Sequence, residues 1–171
     1  MDQTVQYIQN LVNTESGATE SVKSVDTSRT YSITLVQPCT FDLREDLQRL
    51  IQPNSTASAS PVREIIHYLI PMADLDLGPL GTHHKLDRQS VMHVIIFNNR
   101  ATIRRWTGDS PILLQDVPVV FEAAINFGKP NVDIFDAPVR LENALKHLAL
   151  LCRAVTKPDM DPFRSQCLSC E

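Results

Sequence analysis

Glycine is scarce in this chain. Only five occur in 171 residues, so no glycine-rich loop is present to cradle a phosphate, and the G-x-S-x-G turn of a serine hydrolase is missing as well. Long apolar runs are also lacking: nothing approaches the ~18 to 20 consecutive apolar residues that a membrane-spanning helix needs. The N-terminus shows neither the basic flank nor the apolar stretch of a secretory signal, which leads to the expectation of a cytosolic setting. Aromatics make up 6% with a single Trp, a poor basis for a platform on which bases stack. Four cysteines in such a chain are expected to be reduced thiols rather than a disulfide framework. No H-E-x-x-H or H-x-D spacing marks a metalloenzyme.

What is there is ordinary globular composition, 43% hydrophobic and 21% charged, in a length that suits one domain. The net charge of −4 hides a polarity. Between Gly81 and Trp106, Lys85, Arg88, Arg100, Arg104 and Arg105 stand against Asp87 alone, a local balance of +4 that leaves −8 for the remainder. A basic face on an acidic body suits an acidic partner such as nucleic acid, lipid headgroups or part of a neighbouring copy, and as readily suits a solvated strand. The stretch VMHVIIFNNRATIRRW, Val91 to Trp106, reads as a β-hairpin turning at Asn98-Asn99-Arg100.

Along the rest of the chain, Val5, Ile8, Leu11 and Val12 fall at helical spacing on a short amphipathic arm. Thr14 to Thr30 is small, polar and without period, as in a flexible linker. Tyr31 to Val36 alternates like a strand, and Thr40 is placed to cap a helix over Phe41 to Ile51. A second helix is expected over Val62 to Ile70, with a strand over Ile65 to Ile70 as the alternative. Pro71 to Ser90 reads as a long loop, Val119 to Phe127 as a helix, and Asn131 to Phe135 as a short extended piece. The clearest helix opens at Asp136 and Pro138, carries Leu141, Ala144, Leu145, Leu148, Leu151, Cys152 and Val155 on one face, and stops at Lys157-Pro158. The resulting organisation is an arm and linker over 1–30, a globular α+β domain over 31–157 and a tail over 158–171.

Two constellations have metal-binding residue types. His83, His84 and His93, with Asp74 and Asp76 in the preceding loop, make the one plausible cluster for a first-row metal, although adjacent histidines on an extended chain point to opposite sides. Cys167-x-x-Cys170 has zinc or redox spacing, but one pair is not a site, and Cys152 and His147 do not share a helix face. Arg100, Arg104, Arg105 and Trp106, with Lys85 and Arg88, are the candidate contacts to nucleic acid or lipid.

The layout resembles the matrix proteins of rhabdoviruses, especially the small ones of plant-infecting members. The resemblance lies in a chain of this size with an apolar arm, a Ser/Thr/Glu linker through Thr14 to Thr30, and one α/β body with a basic surface around Arg100 to Trp106. It implies self-association into a layer between nucleocapsid and envelope, with the virion and host cytoplasm as setting. The lysine-rich arm typical of animal-virus relatives is absent, which shifts any anionic contact to the hairpin. The expectation is therefore a non-enzymatic, cofactor-free assembly protein: a single compact α+β domain with a mainly antiparallel sheet and packed helices, preceded by a flexible N-terminal arm. Its partners would be copies of itself, joined through Val5, Ile8, Leu11 and Val12, and a nucleocapsid or other acidic partner, with peripheral membrane contact and no transmembrane segment. A metal-dependent enzyme using His83, His84 and His93 is the alternative.

Overall fold

Two antiparallel sheets are fastened to each other at one glycine. The computed structural model describes residues 1–22, 25–51, 61–78, 81–87, 91–97, 104–107 and 122–156. Helix α1 (Asp2–Glu15) leads into β1 (Ala18–Val22), β2 (Val25–Gln37), β3 (Thr40–Ile51) and β4 (Pro61–Pro71). A 3-10 turn at Met72–Asp74 precedes β5 (Thr82–Leu86), β6 (Met92–Phe97), β7 (Arg104–Thr107), β8 (Glu122–Phe127) and helix α2 (Asp136–Thr156). One sheet has the order β1-β2-β3-β4-β7, the other β5-β6-β8. The architecture is α+β, as the sequence leads one to expect.

Gly17 makes the junction. Its N–H donates to the Asn126 carbonyl at 2.6 Å, and its own carbonyl accepts the Gly128 N–H at 2.9 Å, so β8 lies beside the approach to β1. Its φ is +118°, and a Cβ there would sit 2.9 Å from the Arg29 carbonyl oxygen. Only glycine meets both conditions without strain.

The core sits between the helices and the inward faces of the strands. Val5, Ile8, Leu11 and Val12 of α1 are buried with Leu141, Leu145, Leu148 and Ala149 of α2, Ile33, Phe41, Leu43 and Ile70 of the larger sheet, and Val94, Ile96, Ile125 and Phe127 of the smaller. Arg140 of α2 donates to Glu15 of α1 at 2.7 Å. Near the end of α2, Arg153 donates to the carbonyls of Ala73 and Leu75, and Cys39 at the β2–β3 turn is joined to Cys152 in a disulfide with a Cα separation of 5.5 Å. Among the described residues, no helix is long and apolar enough to cross a membrane.

Several expectations are corrected by these elements. The arm is helical, but its apolar residues are consumed by the chain's own core, with Ile8 and Val12 fully buried, so they are not presented to a neighbouring copy. Thr14 to Thr30 is not a flexible linker: it supplies β1 and the first half of β2, where threonines fit the pleat and Arg29 pairs with Glu20 at 2.7 Å. Phe41 to Ile51 is a strand, with Phe41, Leu43, Glu45 and Leu47 buried at period two. Val62 to Ile70 is the strand alternative, with Ile66, Tyr68 and Ile70 inward.

The Val91 to Trp106 hairpin does not form. Its first strand, β6, is the centre of the smaller sheet between β5 and β8, while β7 pairs with β4 in the larger sheet. An apolar run such as MHVIIF suits a strand covered on both faces inside the molecule, which an exposed two-stranded hairpin cannot supply. The expected loop from Pro71 to Ser90 contains the 3-10 turn and β5, Glu122–Phe127 is a strand rather than a helix, and Asn131 to Phe135 forms turns. The reduced-thiol expectation fails for Cys39 and Cys152, which the fold brings together across 113 residues of sequence. The tail with Cys167 and Cys170 lies outside the described residues, as do Asn54 to Ser60.

Candidate functional site

Along the inward face of the larger sheet the chemistry changes. Ile33, Phe41, Leu43 and Ile70 are apolar beneath the helices, but further along the same strands stand Arg29, Tyr31, Glu45 and Tyr68. Registry accounts for this grouping: Tyr31 lies opposite Glu45, Leu43 opposite Tyr68, and Arg29 opposite Leu47. Facing them from the smaller sheet are His93 of β6 with Ala124 and Asn126 of β8, where His93 is opposite Asn126 and Ile95 opposite Ala124. Between the two faces lies a cavity of about 300 Å³, completed by Glu20 of β1 and by Asp87 just after β5.

The groups around the cavity are held by one another. Arg29 reaches Glu20 through Nη1 at 2.7 Å and Glu45 through Nε at 3.4 Å, and the Tyr68 hydroxyl donates to the second oxygen of Glu45 at 3.2 Å. Glu45 is only 8% exposed, so its charge depends on these partners. His93 uses both ring nitrogens: Nδ1 lies 2.6 Å from Asn126 Oδ1 and Nε2 lies 3.1 Å from Asp87 Oδ2. Asp87 is fixed in turn, its other oxygen accepting the Val91 N–H at 2.9 Å and its own N–H donating to the Val91 carbonyl at 3.0 Å.

Burial pushes the Tyr31 phenol far above its ordinary range, and the negative charge of Glu45 adds to that, outweighing the opposing pull of Arg29. Tyr31 is therefore a neutral phenol at any physiological pH, a hydrogen-bonding group and not a base or an oxyanion nucleophile. What the arrangement can do is hold a small polar molecule among carboxylates, phenols, a guanidinium and an imidazole.

The residues singled out from the sequence are dispersed. His93 lies at the cleft, His84 pairs with Glu142 of α2 at 2.8 Å, and the side-chain oxygen of Asp76 accepts the Gly78 N–H at 2.8 Å. Adjacent strand positions send His83 and His84 to opposite faces, and among the described residues no three His, Cys, Asp or Glu side chains converge on a metal position. Lys85 is exposed on β5. Arg88 and Arg100 lie outside the described residues, as do the side chains of Arg104, Arg105 and Trp106. His147 is exposed on α2 and Cys152 is bound in the disulfide.

Sequence reasoning missed Arg29, Tyr31, Glu45 and Tyr68 as site residues. One signal was available: Glu45 interrupts the buried series Phe41, Leu43, Leu47 at an inward position, where an ionisable residue is rare without a function or a partner. A second hollow, of about 420 Å³, lies between α1 and α2 beside Tyr7 and Arg140, but Arg140 is already paired with Glu15 and Asp136. The chain matches no known protein family, no curated protein and no solved structure.

Proposed function

We propose that this chain is a non-enzymatic binding protein that receives a small polar molecule in the cleft between its two sheets. The observation that carries the reading is an open cleft of about 300 Å³ lined by Arg29, Glu45, Tyr68, Asp87 and His93. Ionisable groups gathered along the inward faces of two sheets cost folding free energy, and a ligand is a reason to keep them. The non-enzymatic part rests on His93, whose two ring nitrogens are both committed to protein oxygens. Titration of the isotopically labelled chain with small polar fragments tests the reading by NMR. Shifts gathered at Tyr31, His93, Ala124 and Asn126 are expected, and binding confined to other surfaces would end it.

A second reading keeps the matrix-like role, in which copies associate and a basic strand meets a nucleocapsid or anionic membrane. It is favoured by two apolar side chains on one face at the far end of β3 and β4, Ile51 and Val62, which are 52% and 51% exposed. An exposed apolar pair of this kind is what a neighbouring copy could cover. Light scattering across a concentration series decides it: a constant monomer mass at the highest attainable concentration removes the role.

A further inference from the structure

At the far end of β3 and β4 the larger sheet runs out beyond its own core. The inward face is buried at Leu43, Glu45 and Leu47 of β3 and at Tyr68 and Ile66 of β4. The same face then continues outward through Arg49 and Ile51 on one strand and Glu64 and Val62 on the other. The last four residues of β3 and the first three of β4 are all exposed, so this end stands clear as an overhang. Registry fixes its layout. Leu47 is opposite Glu64 and Arg49 is opposite Val62, which makes Arg49 and Glu64 diagonal neighbours, with Ile51 at the next position outward.

Among the described residues the side chains of Arg49 and Glu64 make no ion pair and no hydrogen bond, either with each other or with another residue. Other charges of this sheet are matched, Arg29 with Glu20 and Arg63 with Asp46. A lone cation beside a lone anion carries no net charge, which gives a phosphate backbone or an anionic membrane little to hold. The arrangement is, however, complementary to itself. Turned about a two-fold axis that passes between the two residues, each Arg49 meets the partner's Glu64, and the contact is made twice.

We propose that two copies of the chain pair face to face through this overhang, each Arg49 against the partner's Glu64, with Ile51 and Val62 covered in the contact. The proposal rests on copies associating, as in the second reading above, and asks nothing of a nucleocapsid or a membrane. Opposite charges fix the register of the two faces, and the exposed Ile51 and Val62 supply apolar area that leaves water. A contact of so few side chains falls short of the about 1,200 Å² at which standard interfaces begin. The pair is therefore weak and reversible, formed where the chain is concentrated.

Exchange of charge between copies tests this on the full chain, by sedimentation equilibrium across a concentration series. Arg49→Glu and Glu64→Arg each set like charges across the axis and should each raise the dimer dissociation constant by about tenfold or more. Mixed in equal amounts, the two variants should pair with each other as wild type pairs with itself, because both contacts across the axis are again between opposite charges. Restored pairing in the mixture also shows that both variants are folded. Val62→Thr, nearly the same in shape, removes apolar area without touching charge and should weaken the wild-type pair as well. Wild-type chain that stays monomeric at the highest concentration overturns the proposal together with the second reading. Association that all three variants leave unchanged overturns this surface and leaves that reading standing. Charge variants that fail to pair singly and fail equally as a mixture overturn the match of Arg49 with Glu64.

Discussion

Tyr31 and Glu45 stand directly opposite each other across β2 and β3, a phenol against a carboxylate on the inward face of the sheet. Both are buried, and Arg29 and Tyr68 complete the set from neighbouring positions. A group of this kind is stable only as a unit. Changing Glu45→Met removes one acceptor of the Tyr68 hydroxyl and one partner of Arg29, and changing Arg29→Met takes the guanidinium away from both Glu45 and Glu20. Each should cost up to about 3 to 5 kcal/mol, the range for breaking one side of a buried pair. The double replacement should lose less than the sum of the two single losses, since the Glu45 charge leaves together with the Arg29 cation, although Glu20 still loses its partner. Guanidinium unfolding of the four proteins checks this. A double variant that loses the sum of the two single losses would show that the pair is not coupled.

The same residues explain what the sequence does and does not disclose. Helix α2 is legible because its apolar face repeats without interruption from Leu141 to Cys152 and its ends carry Asp136 with Pro138 and Lys157 with Pro158. Strand β6 is legible from an apolar run that only His93 interrupts. Strand β3 is not, because the ionisable Glu45 occupies an inward position and leaves Leu43, Leu47, Leu50 and Ile51 looking like a helical stripe. The residue that hides the strand is also one that lines the cleft. His93 was singled out only as a metal-ligand candidate beside His83 and His84, whereas pairing with β8, distant in sequence, brings Asn126 beside it and the fold brings Asp87.

Glu142 sets a pH dependence on the opposite face of the smaller sheet. Burial alone would raise its pKa, but hydrogen bonds from Lys146 and His84, reinforced by their charges, hold it below its ordinary value of about 4.5. A carboxylate with a depressed folded-state pKa contributes stability that is present above its unfolded pKa and is lost as pH falls through the folded one. The contribution should therefore be present above about pH 4.5 and fade below it. With Lys146 and His84 partly exposed, its size should stay under about 1 kcal/mol. Urea midpoints of wild type and Glu142→Gln should converge as pH drops from 6 toward 3, taken here as about the range in which carboxylates titrate. A gap that stays constant over that range contradicts the assignment.

Gly17→Ala should damage the sheet junction. The left-handed φ and the 2.9 Å approach of a Cβ to the Arg29 carbonyl act together, for a loss of at least about 1 to 3 kcal/mol. Because Gly17 binds the Asn126 backbone and Asn126 holds His93, chemical shifts at His93 should move as well. Unaltered His93 resonances in a destabilised variant would show the junction and the cleft to be independent.

The Cys39–Cys152 disulfide should behave as a structural bond. It closes 113 residues of chain, and in the chain-entropy account a loop of that length stabilises by about 4 to 5 kcal/mol through the unfolded state. Both cysteines are buried, so dithiothreitol should not reach the bond until the protein opens. Chain refolded with its thiols reduced should show a markedly lower denaturant midpoint, while native protein treated with the reductant keeps the original one for hours. Equal midpoints for reduced and oxidised protein would remove the stabilising role.

Removal of α1 tests whether the N-terminal segment belongs to this domain or to its neighbours. If the segment were a tether reaching other copies, deleting residues 1 to 13 would spare the fold and abolish association. The packing argues otherwise. Val5, Ile8, Leu11 and Val12 are buried against α2 and β2, and fully burying such side chains contributes about 1.5 to 3 kcal/mol each before ordering entropy is subtracted. Asn13 adds a further tie by accepting the Ile33 N–H at 3.2 Å, as does Lys129, which donates to the Thr14 carbonyl at 3.1 Å. Since whole domains are stable by only about 5 to 15 kcal/mol, losing the helix should unfold most of the chain. Ile8→Ala, a milder change at a fully buried position, should cost about 2 to 5 kcal/mol through the cavity it leaves. A truncated chain that keeps its melting temperature and loses only its higher assemblies would show that α1 works between copies.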